Sequence, residues 1–194
     1  MKKNRLTTKD LMTVGIFTAL YLVVIFVAMM AGYIPVVIPF LGGFMALVGG
    51  IPFMLYLSKV NTFGMVSLTG ILSGLVFFLM GSGLSVLVFG IIFGIIADFI
   101  MKNEGYKNFK KLKLGYAVFS LWTIGFNIRM YVDRANYFSS QVEQYGQEYV
   151  DKLMSLTPGW TLPLSIIATF VLGYVGALLG TAMFKKHFKR AEIN

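Results

Sequence analysis

The sequence predicts an all-α integral membrane protein with six transmembrane helices, its N and C termini cytoplasmic. Three observations lead there: a scarcity of charge, a succession of long apolar runs, and the placement of the basic residues between those runs. Of 194 residues, 57% are hydrophobic and 13% are charged, against about 25% charged in an ordinary soluble domain. One small soluble core cannot hide that much apolar surface, whereas lipid solvates it directly. The absence of cysteine removes disulfides, a thiol nucleophile and cysteine metal sites. The net charge of +9 does not point to nucleic acid. The basic residues stand in short clusters between apolar runs, where they meet anionic lipid and fix orientation.

A spanning helix needs about 20 mostly apolar residues. The opening stretch, 1–10, is polar and basic. The apolar run that follows, 11–31, is too long for a signal-peptide core and lacks a small-residue cleavage pattern, so it reads as a retained first helix. The second span is 36–57. Pro39 and Pro52 lie inside it and remove backbone hydrogen bonds, which predicts bending or fraying at its outer end. The third span is 63–80 and the fourth 84–101, and Gly81-Ser82-Gly83 leaves room only for a tight turn between them. The fifth is 114–132 and the sixth 161–184. The whole is one membrane domain, 1–194.

Orientation follows from lysine and arginine. With the N-terminus inside, the inner segments hold Lys2, Lys3, Arg5 and Lys9, then Lys59, then Lys102, Lys107, Lys110, Lys111 and Lys113, then Lys185, Lys186, Lys189 and Arg190. Only Arg129, Arg134 and Lys152 fall outside. This bias places both ends in the cytoplasm and supports an even number of spans. The long outer segment, 133–159, carries Val142, Tyr145, Tyr149, Leu153 and Leu156 at helical spacing among polar residues. That pattern predicts an amphipathic helix over about 140–156. It fits either a helix lying on the bilayer or a lid over an outward pocket. Small residues four apart recur at Gly15/Ala19, Ala28/Gly32, Gly70/Gly74, Gly90/Gly94 and Gly176/Gly180. This spacing lets helix backbones approach closely, and most of the pairs read as internal packing.

No catalytic set is legible. The one histidine, His187, lies in the basic tail and reads as solvated. A membrane hydrolase or acyltransferase needs a positioned base, nucleophile or metal, and no such arrangement is found, so neither an enzyme nor a cofactor or metal site is predicted. Asp98 is the one acid well inside a span. Lys102 follows one turn later, which predicts a local ion pair, with a partner contact or a coupling role as the alternative. The outer end of the fifth helix is richer, with Asn127, Arg129, Tyr131, Asp133 and Arg134 close together. Arg129 lies in the outer part of the hydrocarbon layer, where it snorkels, faces a watery cavity, or pairs with Asp133 one turn on. Tyr33, Ser82, Ser85, Trp160 and Ser165 gather at the same level. The aromatics fit an interfacial belt, and the serines fit satisfaction of nearby backbone groups. Together with Asn127, Arg129 and Tyr131 they also outline an outward substrate site between the outer ends of the fourth, fifth and sixth helices.

The basic start followed by Leu6-Thr7-Thr8-Lys9-Asp10-Leu11, then Gly15 and Ala19, resembles the first helix of substrate-binding (S) subunits of energy-coupling factor transporters. The run Gly49-Gly50-Ile51-Pro52-Phe53 with Lys59 adds to this. So does the tail Gly176-Ala177-Leu178-Leu179-Gly180 leading into Lys185-Lys186-His187-Phe188-Lys189-Arg190-Ala191. Over nearly its whole length the chain is similar to the Trep_Strep family of such subunits. The resemblance implies a six-helix subunit of the cell membrane that captures a micronutrient from outside. It implies three partners: a transmembrane coupling protein and two cytoplasmic ATPases. It also places a small-x-x-x-small contact for the coupling protein at Gly15 and Ala19, although alanine is more usual at the first position. Aromatic walls and Arg129 suit an amphipathic, anionic compound such as a vitamin, a precursor or a tetrapyrrole. The residues themselves leave open a regulatory or assembly protein without a small-molecule ligand.

Overall fold

The computed structural model describes residues 5–184, with the side chains of 103 and 104 excepted. Lys2, Lys3, Lys185, Lys186, His187, Lys189 and Arg190 therefore lie outside the described residues. Within them the chain is all-helical: α1 (Thr8–Met29), α2 (Leu41–Leu57), α3 (Met65–Phe77), α4 (Leu84–Met101), α5 (Phe109–Phe119), α6 (Arg129–Val132), α7 (Arg134–Tyr145), α8 (Gln147–Leu156) and α9 (Thr161–Met183). Five helical stretches among the described residues are long and apolar enough to cross a membrane: Thr8–Tyr33, Ile38–Leu57, Met65–Ser82, Leu84–Met101 and Thr161–Met183.

Local chemistry sets the ends of these stretches. The Thr7 hydroxyl accepts from the Asp10 N–H while the Asp10 carboxylate accepts from the Thr7 N–H, so α1 starts on a reciprocal capping box. Pro39 sits in a 3-10 turn, Ile38–Phe40, that leads into α2, because proline is tolerated at a helix start, where its missing N–H has no intrahelical partner. Gly81 and Gly83, both at φ +91°, carry the turn between α3 and α4.

Two helix pairs hold the bundle through bare backbone contact. On α3 and α4, Gly70 and Gly74 face Gly90 and Gly94, and a Cβ on Gly70 would collide with the Gly90 carbonyl. On α2 and α9, a Cβ on Gly50 would collide with the Gly176 backbone. Dispersion and close fit replace the hydrophobic drive that lipid does not supply between helices. The centre is aromatic. Tyr21, Phe53, Tyr56, Phe77, Tyr116, Phe119 and Trp122 are fully buried, and their polar atoms are partnered. Trp122 Nε1 donates to the Tyr21 hydroxyl at 2.9 Å, and the Tyr116 hydroxyl donates to the Ala46 carbonyl at 2.7 Å.

The expected fifth span, 114–132, is not one α-helix. It runs as α5, a 3-10 stretch over Ser120–Phe126, and the single turn α6. The Ser120 and Thr123 hydroxyls each donate to the carbonyl three residues back, which competes with α-helical pairing and tightens the chain. Gly125 is pressed against Val86 at the start of α4, and the Ser85 hydroxyl donates to its carbonyl. Irregular backbone at this depth is tolerated because Ser120, Trp122, Thr123, Ile124 and Gly125 are all buried in protein.

Asp98 corrects the expected pair with Lys102. Its carboxylate is fully buried and accepts from Gly64 N–H (2.8 Å), Ser67 N–H (2.9 Å), the Ser67 hydroxyl (2.8 Å) and the Tyr106 hydroxyl. It caps the start of α3 from a neighbouring helix, where orphan N–H groups need an acceptor. The Lys102 ammonium instead lies 4.0 Å from the Phe99 ring centroid and 5.3 Å from that of Phe63, where ring faces attract a cation.

Candidate ligand cavity under a two-helix cover

At the end of the bundle away from the lysine-rich loops lies a cavity of about 380 Å³. Phe26, Met29 and Met30 line it from the end of α1, Gly32 and Tyr33 from the turn that follows, and Ile38 and Leu41 from the start of α2. Phe126 and Asn127 close it at the end of the 3-10 stretch. Tyr137, Gln141 and Tyr145 from α7 and Tyr149 and Leu153 from α8 form the other wall. The floor is rigid by packing. Phe26 stacks on Phe77 at 5.3 Å, and Phe126 meets Phe77 at 4.9 Å and Trp122 at 5.5 Å.

The amphipathic segment forms two helices, because Gly146 (φ +82°, ψ 161°) lies between α7 and α8 in a conformation essentially reserved for glycine. Met130, Phe138, Val150 and Leu153 make a small core beneath the pair. Arg134 ties it shut. Its guanidinium donates to the carbonyls of Met130 (3.3 Å), Met154 (2.9 Å) and Thr157 (2.5 Å) and lies 4.8 Å from the Phe138 ring centroid. The cation thereby satisfies carbonyls at the C-terminus of α8, where the helix dipole favours positive charge. The segment covers the cavity with Tyr137, Tyr145 and Tyr149. Burial, and then the neighbouring Tyr149 and Tyr145, push the Tyr137 hydroxyl up from its ordinary pKa. Burial, and then Tyr145, do the same for Tyr149. These phenols stay neutral and act as hydrogen-bonding groups.

The predicted site residues separate into those at the cavity and those around it. Tyr33 and Asn127 line it. Asn127 is anchored by donating from Nδ2 to the Ile38 carbonyl at 2.9 Å. Arg129 does not line it: its side chain lies beside Gly83 and meets the Asp133 carboxylate at 3.5 Å, both groups about half exposed. The Tyr131 hydroxyl pairs with the Thr161 hydroxyl at 2.9 Å, joining α6 to α9. The Ser165 hydroxyl lies within hydrogen-bond distance of the Pro39 and Thr161 carbonyls. Ser85 is engaged with Gly125, Ser82 sits in the turn between α3 and α4, and Trp160 is 67% exposed at the start of α9. Gly15 and Ala19 lie on the exposed face of α1, and a Cβ on Gly15 would meet nothing.

The lining residues missed from the sequence include Phe26, Met29, Leu41, Phe126, Tyr137 and Gln141. Apolar residues at a span end read as lipid contact, and besides Tyr33 and Asn127 the lining residues with a signal are Tyr145, Tyr149 and Leu153, through their helical spacing.

Residues 8–190 match the family model described as a hypothetical bacterial integral membrane protein, Trep_Strep. The chain belongs to the Trep_Strep family. No curated protein and no solved structure matches it. The Trep_Strep chain is thus a multi-pass bacterial integral membrane protein, and its exposed Met12, Ile16, Val23 and Val27 on α1 and Ile167 and Val171 on α9 have a physical home in lipid. In that setting the cavity is an apolar, aromatic hollow with a few polar anchors among the described residues that line it.

Proposed function

We propose that this protein is the substrate-binding subunit of an energy-coupling factor transporter, capturing a micronutrient for ATP-driven uptake. The observation that carries the reading is the covered aromatic cavity. A hollow of drug-ligand size, roofed by two helices that a single arginine holds in place, is what capture from the far side of a membrane requires. The sequence resemblance described above adds the transporter class and its partners, a transmembrane coupling protein and two cytoplasmic ATPases.

In this reading both ends are cytoplasmic, the lysine-rich loops face inward, and the cavity opens outward. The stretch 109–126 makes the remaining crossing: eleven α-helical and seven 3-10 residues extend about 30 Å, close to the thickness of the hydrocarbon layer. Gly15 and Ala19, bare on α1, serve as the close-approach surface for the coupling protein. The protein binds its cargo and does not transform it.

The test is purification from bacterial membranes with and without co-expressed coupling protein and ATPases, followed by mass spectrometry of released small molecules and an uptake assay in vesicles. Capture predicts a released compound, and uptake that needs both the partners and ATP. A protein that assembles with no ATPase module and releases no compound is a regulatory or assembly factor instead.

A further inference from the structure

We propose that the cavity selects an organic cation, held by aromatic faces and neutral oxygen acceptors in place of a carboxylate. The inference rests on the capture reading and names the ligand class that the walls fit. Six rings line the hollow, from Phe26, Tyr33, Phe126, Tyr137, Tyr145 and Tyr149, and their negative faces attract a positive charge, best a soft, weakly hydrated one such as a quaternary ammonium or a cationic heterocycle. The Tyr145 and Tyr149 rings stack on each other at 5.0 Å, so the cover presents them as one paired aromatic surface.

No lysine or arginine is among the described residues that line the hollow. Arg129 faces Asp133, and Arg134 spends its guanidinium on three backbone carbonyls. One N–H of the Asn127 amide is donated to the Ile38 carbonyl, and the amide oxygen is an acceptor that a cationic ligand can use. Tyr145 and Tyr149 also line a neighbouring open groove with Glu148 and Lys152, side chains of opposite charge that together favour neither sign of ligand. An anion entering the hollow would lose water without meeting a lysine or arginine on its walls, whereas a cation exchanges water for ring faces.

The experiment uses three probes of one shape and different charge: choline, the neutral 3,3-dimethyl-1-butanol, and the anion 3,3-dimethylbutyrate. Each is titrated into the full chain in lipid nanodiscs by calorimetry or saturation-transfer NMR. Choline should bind about tenfold tighter than the alcohol, with the anion weakest. Tyr149→Leu should cost choline about tenfold, and Tyr149→Phe, which keeps the ring face, should stay within about threefold of wild type. Equal binding of choline and the alcohol, tightest binding of the anion, or no binding of any probe overturns the proposal. Mass spectrometry of compounds released by wild type but not by Tyr149→Leu separates this failure from that of the capture reading. A released neutral or anionic compound removes the cation and leaves capture standing. No released compound and no probe binding removes capture as well.

Discussion

At the residue scale, Asp98 and Arg134 do comparable work at opposite ends of the bundle, and Asp98 does so in place of the expected pair with Lys102. Asp98 gathers four donors from α3 and from the loop after α4, and it holds Tyr106 at φ +63°, a conformation that a non-glycine residue rarely adopts. Hydrogen bonds to a charged group contribute about 1.5–3 kcal/mol each, and leaving buried donors without an acceptor costs more than removing both partners. Asp98→Ala should therefore cost about 3 kcal/mol or more, read as a lower midpoint in thermal unfolding followed by tryptophan fluorescence in detergent. An unchanged midpoint would mean that the donors find other acceptors. Arg134→Ala should loosen the cover and leave the membrane bundle alone, because its contacts are to Met130, Met154, Thr157 and Phe138. Amide exchange in 147–157 should quicken by about tenfold or more, the loss of roughly 1.4 kcal/mol of closing free energy. Lysine at 134 should restore only part, since the planar fork is lost. Exchange as slow as wild type in the alanine variant would assign the closure to the small apolar core under α7 and α8.

At the element scale, α1 separates its two faces cleanly. Val14, Thr18, Tyr21, Ile25 and Ala28 are buried, at alternating steps of four and three, while Met12, Gly15, Ile16, Ala19 and Val23 face out. Glycine is a poor helix former, and leucine at an open position costs no packing. Gly15→Leu/Ala19→Leu should leave the thermal midpoint and ligand binding of the isolated subunit as in wild type, and it should abolish co-purification with the coupling protein. A fall in stability would instead make the pair internal packing, and intact assembly would move the partner contact to another face. The glycines of α2, α3, α4 and α9 that meet opposing backbone behave differently: a side chain on Gly50 or Gly70 has nowhere to go.

At the scale of the whole molecule, the testable quantity is which end of the bundle faces which side. The lysine-rich loops around Lys59 and Lys107 come together at one end, where Tyr106 also lies, and the cavity and its cover lie at the other. The naturally cysteine-free chain allows single cysteines to be labelled with a membrane-impermeant reagent in intact cells. Tyr145→Cys should react from outside and Lys59→Cys only after the membrane is opened. Labelling in the reverse order inverts the topology and puts the cavity on the cytoplasmic side.

The sequence by itself determined the all-helical, lipid-embedded character of the chain, because apolar run length and the scarcity of charge are sums over many residues that no single contact can overturn. It also determined the turn at Gly81-Ser82-Gly83, where the chemistry is local. Tertiary structure decided what long-range contacts decide. Asp98 turned from Lys102 to the start of α3 because buried N–H groups lay within reach, and a lysine near a helix end finds ring faces or water at little cost. The stretch 120–126 left the α-helix where its hydroxyls bond back to nearby carbonyls while Thr123 meets Gly42 of α2, Ser120 meets Thr169 of α9 and Gly125 meets Val86 of α4, neighbours that are remote in sequence. The cavity assembled from residues around 30, 126 and 145, and only the fold brings those into one wall. Spacing along a helix reports a face; which neighbour that face meets is fixed by packing, and here packing left Arg129 outside the cavity and Tyr33 and Asn127 on its wall.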